Sequence, residues 1–231
     1  CGRGLARKAR TLGLTPTGAK KEDLLAVLGR CIPLHPTVAL ILGHLFRRIG
    51  QNERSLFAFL SSREPFGFQE FIDRAMWSKK APSLLRLDDV YDYVSTALGS
   101  ALYAQADGKK WSEIESSLNR SKDATELEIR LIKAIGVLRI VGDIGALTSS
   151  HGVLEFAFED ERTGASDISQ ALERLQQRSV IVYRRYNNAF SLWEGSDIDI
   201  EAKLKEARKH IDPNESLASS LTKYFKPRPI V

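Results

Sequence analysis

The chain has 231 residues, 43% of them hydrophobic and 27% charged, which is apolar material enough for a buried core in one large domain or two small ones. Its net charge of +5 permits nucleic acid or another polyanion as a partner without requiring one. The two cysteines, Cys1 and Cys31, belong to no Cys-x-x-Cys or Cys/His cluster, so neither a disulfide framework nor a zinc site is indicated.

The longest apolar run, around TVALILGHLF (37–46), is far short of a membrane span, and no signal peptide, repeat or low-complexity tract is visible. A cytoplasmic protein without membrane contact is the expectation. The chain starts on Cys1, carries Met76 as its one methionine and stops in KPRPIV, and so reads as a fragment of a longer polypeptide.

Residues 1–20 hold Arg3, Arg7, Lys8, Arg10 and Lys20 and no acid, with a short helix over 3–12. Thr17 or Gly18 caps a helix that includes EDLLAVLGRC (22–31). Pro33 and Pro36 break the chain, and Pro36 suits the first turn of TVALILGHLFRRI, where Val38, Leu42, Leu45 and Ile49 keep helical spacing. Asn52 caps ERSLFAFLSS, whose Phe57, Phe59 and Leu60 are assigned to the core. PFGFQEFIDRAMW gives a short helix. LDDVYDYVSTALGSALYA (87–104) gives one amphipathic helix with the stripe Leu87, Val90, Tyr91, Val94, Leu98, Ala101 and Leu102. WSEIESSLNR (111–120) completes an all-helical module over 1–122.

The pattern then changes. ELEIRLIKAIGVLRIVG (126–142) and HGVLEFAFED precede the turn ERTGAS and a helix over 167–179 capped by Ser166 or Asp167. SVIVYRRYNNAFSLWEG alternates at period two around Asn187-Asn188, the pattern of a β-hairpin. Three helices followed by a hairpin is the order of a winged helix, placed at 123–195, with 167–179 as its recognition-type helix and the hairpin as its wing. IDIEAKLKEARKHI and ESLASSLTKYF form a helical extension over 196–231. The expected fold class is therefore mainly α: a helical bundle followed by a winged-helix domain with a small β-hairpin.

Few residues carry a chemical signal. GLTPTGAKK (13–21) puts Ala19 between Gly18 and Lys20, has Lys21 where a hydroxyl is needed and follows no strand, so it is a basic turn rather than a P-loop. Asp197, Asp199 and Glu201 fall in the first turn of a helix, where acids offset the dipole, and they offer too few oxygens for a hard cation. His35, His44, His151 and His210 are scattered, and His35 reads as a local hydrogen-bonding residue. No Ser/His/Asp or Cys/His arrangement can be built, so neither a catalytic residue nor a metal site is expected.

On the helix 167–179, Ala171, Leu172 and Leu175 face the core. Gln170, Arg174, Gln177 and Arg178 face outward. With Arg184 and Arg185 on the hairpin they are the candidate nucleic-acid contacts, since Gln and Arg suit base edges and phosphates. Asp167 and Glu173 dilute that charge. Arg47, Arg48 and Arg54 flank a helix junction and read either as a solvated face with Glu53 as partner or as arginines aimed at a phosphate.

PLHP, QNERSLFAFL with EPFGF, and GSDIDIE carry a resemblance, over residues 30–212, to the region after the nucleotide-binding core in large bacterial P-loop ATPases of the AAA/STAND type. Those proteins are often encoded with DNA-processing or phage-defence functions. The resemblance implies a helical lid and a winged helix, both C-terminal to an ATPase core that would hold ATP and Mg²⁺. It implies Arg54, with Arg48 second, as the arginine sensing the nucleotide's terminal phosphates. The partners it implies are that core, DNA or an effector protein, with oligomer formation open. No Walker A or Walker B can be read here, so the segment alone is not expected to hydrolyse ATP. A stand-alone winged-helix DNA-binding regulator and an interaction module are the alternatives.

Overall fold

A computed structural model of the chain describes residues 2–14, 27–49, 52–75, 83–142 and 146–194, with the backbone alone at 52–54. Residues Cys1–Trp193 form one compact unit; Glu194–Val231 form a second, of which Glu194 alone is described. Thr17, Gly18, Lys20 and Lys21, residues 22–26 of the predicted helix over 22–31, the acids Asp197, Asp199 and Glu201, and the predicted C-terminal helices lie outside the described residues.

The described residues are mainly helical, with one two-stranded antiparallel sheet. The helices are α1 (Gly2–Thr11), α2 (Pro36–Arg48), α3 (Asn52–Ser61), α4 (Phe68–Arg74), α5 (Leu87–Leu98), α6 (Gly108–Arg120), α7 (Glu126–Val141), α8 (His151–Phe158) and α9 (Ala165–Gln177). β1 (Ile181–Arg184) and β2 (Ala189–Leu192) follow, paired so that Ile181 faces Leu192 and Arg184 faces Ala189. No helix among the described residues is long and apolar enough to cross a membrane.

Two helix starts show a clear local cause. At α2 the ring of His35 is the N-cap: its Nδ1 accepts from the Thr37 N–H at 3.3 Å, and Pro36 occupies a first-turn position where no N–H is needed. The backbone of His35 donates to Leu85 O and that of Leu85 to Pro33 O, both at 2.9 Å, so a short parallel bridge ties the start of α2 to the start of α5. At α7 Thr125 and Glu128 form a reciprocal box. The Thr125 hydroxyl accepts from the Glu128 N–H at 3.3 Å, and Glu128 Oε2 accepts from the Thr125 N–H at 2.7 Å.

α7 is the central element. From Leu131 to Val141 only Lys133 and Arg139 escape burial, the mark of a helix packed on all sides. It packs against α2, α5 and α6 from the earlier part of the chain and against α9 and β2 from the later part. Burial of each Leu, Ile or Val there contributes about 1.5–3 kcal/mol. Gly136 allows the close approach to α6, because a Cβ at that position would overlap Cγ1 and Cδ1 of Ile114. The segment before α8 flanks the hairpin: Phe190 donates its N–H to Ser149 O at 2.9 Å.

Three expectations are corrected. The single helix predicted over 87–104 stops at Leu98, because Gly99 turns to φ 47° and the chain continues as a 3₁₀ turn, Gly99–Ala104. Glycine takes such a backbone without a Cβ penalty. Leu102 stays buried, but Ala101 of the predicted stripe is exposed. Phe57, assigned to the core, is 63% exposed, whereas Phe59 is fully buried. Two residues advance about 200° around a helix, so both rings cannot share one face. Finally, α9 starts at Ala165 with Gly164 as its N-cap, and Asp167 reaches back to accept from the Gly164 N–H at 2.9 Å. Asp167 is thus the third helical residue rather than the cap.

Candidate nucleic-acid interface

α9 is amphipathic, with Ile168, Ala171, Leu172 and Leu175 buried and Gln170, Arg174 and Gln177 on its exposed side. Arg178, the residue that closes the helix, is exposed too. The exposed side chains are not all loose. Arg174 donates from Nε to Glu128 Oε1 at 2.9 Å, and Arg178 Nη1 lies 4.0 Å from Glu128 Oε2. The Glu128 side chain is only 2% exposed, against 50% for Arg174. Burial would raise the Glu128 pKa, but the hydrogen bonds from Thr125 and Arg174 outweigh it and hold the carboxylate below its usual range. Gln170 donates to Ser166 Oγ at 3.2 Å.

The hairpin adds a second set. Arg184 is half-buried and its Nη1 is 3.4 Å from the Tyr186 hydroxyl; Arg185 is exposed. Tyr186 is 80% exposed. Asn188 sits at φ 51°, a conformation asparagine tolerates, and the Tyr183 hydroxyl donates to its side-chain oxygen. Behind the turn, the rings of Tyr183 and Phe190 are 5.1 Å apart and anchor the two strands. Sequence reasoning named neither Glu128 nor Tyr186. The Thr-x-x-Glu spacing of a capping box was a usable signal for the first.

Of the two arginines expected to sense a nucleotide, Arg48 lies away from this face. Arg48, at the end of α2, pairs through Nη1 with Asp107 Oδ2 at 3.2 Å, and Lys110 pairs with the same carboxylate at 2.8 Å. Burial raises the Asp107 pKa, and the bonds from Lys110 and Arg48 more than reverse that. The Arg48 guanidinium also lies beside Gly142, at the opposite end of α7 from Glu128. Residue 54 falls in the first turn of α3, and the Arg54 side chain lies outside the described residues.

A cleft of about 740 Å³ opens between α4, α5 and α7. Its charges answer one another: Arg130 meets Asp88 and Lys133 meets Asp92, each at 2.7 Å, and Arg74 meets Asp89 at 3.4 Å. Burial, and then the neighbouring Asp88, push the Asp89 carboxyl up to about 6. Among the described residues no group of three or more His, Cys, Asp or Glu side chains could hold a metal ion. No protein-family model, curated protein or solved structure matches the chain.

Proposed function

We propose that the chain is the helical lid and winged-helix region of a larger P-loop ATPase of the AAA/STAND type, and that it couples nucleotide state in an ATPase core to engagement of DNA. ATP and Mg²⁺ would be held by that core, which would supply the phosphoryl chemistry; this segment is non-catalytic. The observation that carries the reading is the sharing of α7, which packs against α2, α5 and α6 and also against α9 and β2. Movement of the first set relative to a nucleotide would reach the second through one rigid helix. The order α7, α8, α9, β1, β2, with the Ser149 segment bonded to Phe190, supports the winged-helix part.

Within this reading Arg54 is the first candidate to meet the terminal phosphate and Arg48 the second. Arg48 would have to leave Asp107 to do so. DNA contact falls to Gln170, Arg174, Gln177 and Arg178 on α9 and to Arg184 and Arg185 on the hairpin. The test is duplex affinity of the full-length protein with ATP, with ADP and without nucleotide. A nucleotide-dependent affinity that Arg54→Ala abolishes is expected; one indifferent to nucleotide removes the coupling.

The exposed Arg and Gln row on α9 also favours a second reading, a DNA-binding module that needs no nucleotide. It predicts salt-dependent duplex binding by these 231 residues alone. Absence of binding at low salt would remove it.

A further inference from the structure

We propose that Arg174 and Arg178 form a binding pair for one phosphodiester of nucleic acid, and that Glu128 is the positioning residue that sets their geometry. The inference rests on the DNA reading above and names how one contact of that face is built.

The argument starts from guanidinium chemistry. Arginine carries five N–H donors in a planar fork, and a phosphate is best met by two of them at once. An exposed arginine free to rotate loses that freedom on binding, which weakens the contact. Arg174 has been relieved of much of this loss. Its Nε is spent on Glu128 Oε1 at 2.9 Å, while the side chain remains 50% exposed. The Nε bond fixes the plane of the fork and leaves the two Nη groups to a ligand.

Glu128 does more than helix capping requires. Capping α7 uses Oε2, which takes the Thr125 N–H at 2.7 Å. The second oxygen is turned to Arg174, and Arg178 approaches the first at 4.0 Å. Two guanidiniums one helical turn apart repel each other, and one buried carboxylate between them leaves a net charge of +1 at the surface. An external phosphate completes the balance. Gln170 and Gln177 stand four residues before and three after Arg174, on the same exposed side, and supply neutral donors alongside. Glu173, the nearest acid in sequence, is about 100° around the helix from Arg174.

The experiment measures duplex DNA affinity of this chain across a salt series. Arg174→Ala is expected to weaken binding about tenfold and to lower the slope of log affinity against log salt by about one. Arg174→Lys keeps the charge and loses the fork, so it should keep the slope and lose affinity. Glu128→Gln can still accept from Thr125; although it raises the local charge from +1 to +2, it is expected to weaken binding about fivefold by loosening Arg174, and tighter binding would remove the positioning role. That effect should vanish in an Arg174→Ala, Arg178→Ala background, as a purely structural role would not.

If the wild-type chain binds duplex and Arg174→Ala leaves the slope unchanged, the pair is not a phosphate site, while the DNA reading stands. A Glu128→Gln effect that persists in the double-alanine background removes the positioning role. If the wild-type chain binds no duplex at low salt, the DNA reading falls and this inference with it. Inorganic phosphate or ATP competing at matched ionic strength as strongly as duplex would assign the pair to free phosphate and overturn the nucleic-acid source.

Discussion

The imidazole of His35 packs 4.6 Å from the ring of Phe156, centroid to centroid, with 1% of the residue exposed. The ring caps α2 on one side and contacts α8 on the other. Burial, and then the positive charge of Arg86, depress its pKa to about 3. A histidine in the unfolded chain takes up its proton near 6.5, so acidification favours unfolding. The stabilisation is complete above the unfolded value and is lost as pH falls from about 6.5 through about 3. The loss is on the order of 5 kcal/mol. His35→Asn keeps a capping acceptor and cannot titrate. Its unfolding free energy, followed by urea denaturation, should be flatter than wild type across that window; an unchanged slope would dismiss His35 as its source.

Asp89 works with the opposite sign. Its carboxyl is pushed up to about 6, so the folded chain prefers the proton. That contribution is present below the unfolded value near 3.8 and is lost as pH rises through about 6. Asp89→Asn keeps an oxygen for the Arg86 N–H, which Asp89 now accepts at 2.8 Å. The variant should gain on wild type at pH near 7 and gain less at pH near 4. Paired denaturation curves at the two pH values decide it, because the His35 contribution is common to both proteins and cancels.

The α6–α7 contact depends on a missing methyl group. Gly136→Ala would drive a Cβ into the fully buried Ile114. Overpacking of this kind costs about 1–3 kcal/mol. Ile114→Val removes Cδ1 and should recover part of the loss when combined with Gly136→Ala. Chemical denaturation of both single variants and the pair tests the coupling; strict additivity would refute it.

Phe59 and Phe57 separate core from surface on one helix. Phe59 is fully buried, with ring centroids 4.8 Å from Tyr93 and 5.7 Å from Phe46. Phe59→Ala should cost about 3–5 kcal/mol. Phe57→Ala should stay within about 0.5 kcal/mol. Melting temperatures of the two variants give the comparison, and equal losses would contradict the assignment.

The parts of this fold that were legible in sequence are those governed by near neighbours. Pro36 after His35, the buried Ala171, Leu172 and Leu175 of α9, and the hairpin around Asn187-Asn188 all follow from spacing and turn chemistry. The break at Gly99 was hidden because the apolar stripe continues through Leu102, and a 3₁₀ turn can keep Leu102 buried. The candidate site was legible in its residue types and not in its partners. Arg174 meets Glu128 across 46 positions and Arg48 meets Asp107 across 59, and no local rule announces such pairs. Sequence offered Glu53 as a partner for the Arg48 cluster and outward contacts for Arg174, whereas folding gives Arg48 Asp107 and Arg174 Glu128.

α7 sets how the protein can be taken apart. The change of sequence pattern near residue 123 invites dissection there, yet that point falls inside the compact unit Cys1–Trp193. A scission at 122 would leave α7 facing water along the side that now meets α5 and α6. The expected behaviour is one cooperative melting transition for both stretches, and a later piece that aggregates when expressed without the earlier one. Calorimetry on the intact chain reads this directly: a single endotherm is the signature of two sequence patterns sharing one structural spine.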